Sequence, residues 1–316
     1  MIKHCFRRIC IAIPTLLLVL TIVFFLMRMI PGSPAEHILK GEDVTQEDIE
    51  ALEEAMGLND PIPVQYVRFL GQIATGNWGD SYVNGKPVFE RMIARWEPAI
   101  FMAIFATVIK ICFAFPIGVL SATHRNSLGD YLTTTSAIAM QSIPSICWAL
   151  LLIYFFGYKI PIFRTGGYVY IEDGGFIKAA YSMLLPALAL GLHAIAGMVR
   201  YVRTTMLDVM NQDYIRTAKS KGLPQFKVYY KHALKNTLNI TGSMVISSFV
   251  SLLGGTAVVE RAFNINGLGT LAVSALSQRD YSQEQAIVIW SSTVSVMMGV
   301  FMDCFYYWID PRIKYE

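Results

Sequence analysis

Along this chain, long apolar runs alternate with short polar ones. Six runs, over residues 9–30, 98–121, 131–158, 179–199, 238–259 and 285–309, reach the ~20 residues that a helix needs to cross a ~30 Å hydrocarbon layer. Lipid offers no partner to an open backbone group, so each run is expected to be helical. The pattern predicts an all-α integral membrane protein with six transmembrane helices. Between the fourth and fifth runs lies a segment of another kind, 211–236, which reads NQDYIRTAKSKGLPQFKVYYKHALKN. Asp213 is placed to cap a short helix with Ile215, Ala218 and Gly222 at i, i+3 and i+7. Gly222 suits a left-handed end and Pro224 can start a second helix. There Phe226, Tyr229, Tyr230, Ala233 and Leu234 form an apolar row, and Lys227, Lys231 and Lys235 a cationic one. A solvated loop between spans needs no aromatic stripe, so a docking helix-turn-helix is the better reading.

The stretch 31–97 is too long for a simple connection. Thr45 and Asp48 form a capping box, Ile49, Leu52 and Met56 a stripe, Gly57 a stop, and 61–73 a further short helix. The expected organisation is therefore 1–30 as tail and first helix, 31–97 as a lobe, and 98–316 as the main transmembrane domain carrying 211–236.

Charge then sets direction. The tail 1–8 holds three Lys/Arg, 200–236 holds eight, and Arg312 and Lys314 follow the last run, whereas 31–97 has five Lys/Arg against twelve Asp/Glu. By the positive-inside rule, both termini and 211–236 are expected in the cytoplasm and the lobe outside. Basic residues in other outer loops weaken this without reversing it. Hydrophobic residues make up 54% of the chain, charged ones 16%, and mean hydropathy is +0.45, which excludes a soluble domain. The first run exceeds the ~7–15 residues of a secretory signal core and is read as a retained span. The cysteines show neither metal spacing nor a disulfide framework and read as small apolar residues.

Polar residues inside the runs are costly and therefore informative. Lys110 and Asp303 lie within the second and sixth runs, either as a structural pair or facing a wet cavity. Gln141, Ser142, Ser145 and Trp148, around Pro144, interrupt the third; His193 lies in the fourth; Ser247 and Ser251, with Ser248 and the Gly254-Gly255 pair, lie in the fifth. Such residues are more often interhelical glue. If the spans enclose a path for a polar solute, Lys110, Gln141, Ser142, Ser145, Trp148, His193, Ser247, Ser251 and Asp303 are the candidates to line it. There is no GxxxxGK[ST] phosphate loop, HExxH or GxSxG, so neither an ATP site nor a catalytic centre is expected on this chain. The basic segment between spans suits lipid headgroups or a protein rather than nucleic acid.

Five stretches in this order carry a resemblance: RRICIAIPTLLLVLTIVFFLMRMIPGSP, GLNDPIPVQY, DYIRTAKSKGLPQFKVYYKHALKN, VVERAFNINGLGTLAVSALSQRDY and DPRIKY. Over nearly its whole length the chain resembles permease subunits of bacterial peptide-type ABC importers, most closely the first of the two oligopeptide/dipeptide permeases. The resemblance implies a bacterial plasma-membrane subunit that moves oligopeptides or dipeptides, or in some relatives nickel chelates. It implies a second permease chain, two ATPase subunits holding ATP and Mg, and an external solute-binding protein. It also implies that Asp213, Tyr214, Ile215, Arg216, Thr217, Ala218, Gly222, Leu223, His232 and Asn236 belong to an ATPase-coupling element. Arg216, Thr217 and Ala218 stand where the family motif has E-A-A, so an acidic contact there is missing, and Asn266 replaces the proline of the usual PGxG turn. A secondary transporter would show an inverted repeat, which is not seen; a membrane scaffold working through its lobe is the other alternative.

Overall fold

The computed structural model describes residues 2–29, 32–39 and 45–309, with only the backbone at 2–5, 37, 302–303 and 305–309. The tail with Arg312 and Lys314 lies outside the described residues. In chain order the helices are α1 Ile2–Arg28, α2 Pro34–Ile38, α3 Gln46–Ala55, α4 Ile62–Ala74, α5 Val88–Ile93, α6 Trp96–Thr123, α7 Leu128–Ser142, α8 Ser145–Leu152, α9 Ile171–Met210 and α10 Asp213–Ser220. They continue with α11 Gln225–Lys227, α12 Leu234–Leu253, α13 Ala257–Ala262, α14 Leu268–Gln278 and α15 Tyr281–Ile309. Two π-helical stretches, Ile153–Lys159 and Val228–Ala233, extend α8 and join α11 to α12. The chain forms two compact units, residues 1–97 with 267–316, and residues 98–266.

In the first unit, α1 packs along α15 and the lobe folds back on α1. Tyr66 of α4 shares a 2.6 Å hydrogen bond with Thr21, and Arg28 lies 3.5 Å over the Phe24 ring while donating to Gln65. The expected cap forms at α3: the Thr45 hydroxyl accepts from the Asp48 N–H, and the Asp48 carboxylate accepts from Thr45. The Thr45 hydroxyl also donates to that carboxylate, at 2.7 Å, and this bond holds the Asp48 carboxyl below its ordinary range. The most buried polar contact is at Asp280, 1% exposed, just before α15. Its carboxylate accepts from the Ser81 hydroxyl at 2.5 Å, the Tyr82 N–H at 3.0 Å and Arg91 at 3.1 Å, so the loop between α4 and α5 is fastened to the start of the last helix.

In the second unit, α6 and α9 form the spine. A Cβ on Gly118 would come within 2.8 Å of Val202, and one on Gly191 within 3.0 Å of Ile109, so these glycines set how closely the two helices approach. Two apolar cores lie on the spine. One joins Phe101 and Met102 of α6 to Met183 and Leu185 of α9, Leu152 of α8 and Phe263. The other joins Phe115 and Val119 to Val202 and Met206, and continues into Ile215, Val228 and Val245.

Among the described residues, four helices are long and apolar enough to cross a membrane: 6–28 within α1, a stretch ending with α6, α9, and 281–301 within α15; a bent pair, α7 with α8 and its π-helical extension, makes a fifth if it is one span. The 20 residues of α12 span about 30 Å, but Asn239, Thr241, Ser243, Ser247, Ser248 and Ser251 make it less apolar. Three expectations change. The third run is two helices at 94°, because Ile143 before Pro144 takes an extended conformation and Pro144 starts a new helix. The fourth continues past residue 199 to Met210, because its buried face, from Met198 to Val209, keeps packing on the core; near its start Gly175 (φ +74°) kinks it, setting 171–174 apart from the long helix that follows. The fifth ends at Leu253 rather than 259; Gly254 and Gly255 (φ +98°) follow its end, and the buried Glu260 carboxylate receives the Thr256 N–H at 2.8 Å. Cys10, Cys112 and Cys147 are exposed on outer helix faces, not buried as expected.

The glycine spine gives the first prediction. Gly118→Val places two methyl groups where Val202 already stands and should destabilise the protein by about 1–3 kcal/mol. Thermal unfolding in detergent checks this, and an unchanged midpoint would contradict the close approach.

Candidate functional site

The segment 211–236 folds as the expected knob. After α9 stops at Met210 the chain turns through Asn211 and Gln212 into α10. Asp213 does not cap it: Gln212 holds the N-cap position without a side-chain bond, and Asp213 sits in the first turn, where its charge favours the N-terminal dipole. Ile215 and Ala218 are buried in the same core as α6, α9 and α12, so α10 is part of the bundle and not a tethered flap. Gly222 adopts φ +72° with open space around its Cβ position, so the requirement for glycine is one of backbone conformation. Leu223 packs on the core behind the turn. The Asn236 amide donates to the Tyr214 hydroxyl at 2.7 Å, tying α10 to the start of α12.

The second half of the knob differs from its expected 3.6-residue stripe. The π-helical Val228–Ala233 inserts an extra residue per turn, so Val228 and Ala233, five apart, share the buried face with Thr237 and Thr241. Phe226 and Tyr230 then turn outward, 70% and 42% exposed, with ring centroids 4.6 Å apart. Lys227, Lys231 and Lys235 are exposed as expected, and His232 is half-buried in the π stretch. Arg216 reaches Asp213 at 3.7 Å, a solvent-exposed pair of little energetic weight. The outer face thus presents Tyr214, Arg216, Thr217, Lys219, Phe226 and Tyr230 on a buried foundation.

Asp130, unremarkable in the sequence, braces that foundation. Only 3% exposed, it accepts from Arg203 Nε at 2.6 Å and Nη2 at 2.7 Å, from the Ser121 hydroxyl at 2.5 Å and from the Asn126 N–H at 3.0 Å. One carboxylate therefore locks the α6–α7 corner to α9 two turns before the knob. The signal in the sequence was the pair of arginines, Arg200 and Arg203, but the acid nearest them there is Asp208, not Asp130.

The path candidates separate. Lys110, Ser145 and His193 line one cavity of about 150 Å³, together with Ala106, Leu190, Ala194, Ser248 and Leu252. Ser248 and Leu252 face it, whereas Ser247 and Ser251 lie exposed on another face of α12. The helical spacing of 106/110, 190/194 and 248/252 shows in the sequence, but which of the three serines turns inward does not. Gln141 accepts from Arg200 at 2.6 Å, and the Ser142 hydroxyl donates to the Ile138 carbonyl. Trp148 Nε1 donates to the Met140 carbonyl at 3.3 Å and His193 Nδ1 reaches the Ile143 carbonyl at 3.3 Å, so both serve backbone groups released at the bend. Lys110 Nζ donates to the Val245 carbonyl at 3.5 Å. Asp303 lies in α15 with its side chain outside the described residues, and its expected pairing with Lys110 has no support among them. No three His, Cys, Asp or Glu side chains converge as a metal site requires among the described residues.

A bundle of helices long and apolar enough to cross a membrane, with a two-helix knob packed into its core, is the architecture of an integral membrane protein. The chain belongs to the family of binding-protein-dependent transport system inner membrane components, whose model matches residues 114–315; the model for the N-terminal region of such membrane components matches residues 1–103. It is 36% identical over 321 residues to the oligopeptide transport system permease protein of Bacillus subtilis (strain 168), covering all of both chains. It is 36% identical over 334 residues to the dipeptide transport system permease protein of Alkalihalophilus pseudofirmus, and 31% over 316 residues to the glutathione transport system permease protein of Escherichia coli (strain K12), again covering all of both chains. The chain is thus a permease subunit of an ABC importer, residing in the inner membrane.

Asp130→Ala would leave the Arg203 guanidinium without its carboxylate and should cost about 3 kcal/mol. The thermal midpoint of the purified protein reads this out; a shift no larger than that of an exposed-residue control such as Asp213→Ala would show that the brace carries no weight.

Proposed function

We propose that this subunit forms half of the translocation path of an importer for short peptides, and that 211–236 is the element on which a cytoplasmic ATPase acts. The observation that carries the reading is the shared core: Ile215 and Ala218 pack with Phe115, Val202, Met206 and Val245, so a displacement of the knob is a displacement of three membrane helices. One chain presents one knob, and a pair of nucleotide-binding subunits offers two grooves. A second, homologous permease chain completes the pair about a pseudo-two-fold axis. ATP and Mg belong to the ATPase partners; nucleotide-driven closure moves the knobs and switches the path between two states, provided the docking contacts differ between those states. The charge distribution supports a cytoplasmic knob, cytoplasmic termini and an external lobe, to which a solute-binding protein delivers its cargo. Peptides are the substrate class because the relatives sharing the whole length of the chain are permeases named for oligopeptides, dipeptides and glutathione.

Proline at 222 cannot take φ +72° and should destroy the turn without touching the spans. In proteoliposomes holding the complete importer, Gly222→Pro should reduce ATP-driven peptide uptake to background while the amount of inserted subunit is unchanged. Wild-type uptake rates in that variant would remove the knob from the mechanism.

A further inference from the structure

We infer that the cavity around Lys110 is a carboxylate-binding subsite that receives the C-terminal carboxylate of the peptide in transit, an inference resting on the importer reading above. Lys110 stands halfway along α6 and is 3% exposed. An ammonium has three donors, and the Val245 carbonyl at 3.5 Å engages one of them weakly. No carboxylate among the described residues forms an ion pair with it. A buried charge in this condition is costly unless something supplies opposite charge.

The walls indicate what that is. Ser145 and Ser248 line the same cavity, and their hydroxyls make no hydrogen bond within the described residues. Its volume, about 150 Å³, exceeds several-fold the ~10–15 Å³ that a single water requires. Water would satisfy the hydroxyls but would bring no countercharge. The rest of the lining is Ala106, Leu190, Ala194 and Leu252, which disfavours an anion hydrated on all sides and favours one with a charged oxygen end and an apolar remainder. A carboxylate meets both conditions: two oxygens accept from the ammonium and the two serines, and the adjoining carbon skeleton meets the alanines and leucines. His193, with Nδ1 at the Ile143 carbonyl, contributes its ring to the same wall.

The test uses the full importer complex with the five native cysteines of this chain replaced by serine and Ala194→Cys as a reporter in the cavity wall. Modification of that thiol by a methanethiosulfonate, which forms a mixed disulfide and releases methanesulfinate, is followed with acetate, a dipeptide free acid or its C-terminal amide present. The free acid and acetate should slow this modification at concentrations at least about tenfold lower than the amide, the loss expected when one charge-assisted contact is missing. Lys110→Gln should abolish that difference and Lys110→Arg should retain it. Equal shielding by acid and amide, no shielding by either, or undiminished discrimination in Lys110→Gln would overturn the subsite while leaving the peptide reading intact. Conversely, Lys110-dependent shielding by acetate in a complex that accumulates no dipeptide would uphold the carboxylate site and remove the peptide as its source.

Discussion

The constraint on which the second unit depends is the close approach of α6 and α9 at Gly118 and Gly191. Lipid tails are as apolar as leucine, so burial gives little net drive for two helices to associate inside a bilayer, and dispersion between closely packed backbones has to supply it. Glycine where the facing helix offers Val202 or Ile109 permits that proximity. From this seam both apolar cores extend, one toward α8 and α13, the other toward α10 and α12.

At two breaks in the helices of this unit, backbone groups are met by named side chains. Trp148 and His193 reach carbonyls on either side of Ser142, and Glu260 receives the amide of Thr256. An unpaired peptide group in hydrocarbon costs several kcal/mol, so these polar residues are required by the breaks. Trp148 and His193, read from the sequence as candidates for a solute path, thus each place a ring nitrogen on the backbone. Lys110, Ser145 and Ser248 differ, because their polar atoms are left largely unspent on the protein itself.

Two carboxylates do comparable work in separate units. Asp280 fastens the lobe to the start of α15 through Ser81, Tyr82 and Arg91, and Asp130 fastens the α6–α7 corner to α9 through Arg203. Each is almost fully buried and saturated with donors, the condition under which a buried charge specifies geometry without leaving an uncompensated penalty. In the second unit this brace stands directly behind the surface on which an external protein would push.

The sequence alone determined the features governed by local rules. Apolar run length marked the spans, Thr45 and Asp48 marked a helix start, and Gly222 before Pro224 marked the turn of the knob, because hydrophobic thickness, capping and backbone conformation act over a few residues. Tertiary structure decided the rest. Pro144 announced a break but not a 94° bend, since the angle depends on what α8 packs against. The π-helical stretch at Val228–Ala233 turned Phe226 and Tyr230 outward, which a 3.6-residue period could not foresee, because the register there follows the fit of Val228 and Ala233 into a core made by other helices. Asp130 found Arg203 across 73 residues, and Ser248 rather than Ser247 or Ser251 faced Lys110. Such pairings depend on how whole helices rotate against one another, a choice that side-chain packing makes only once all of them are present.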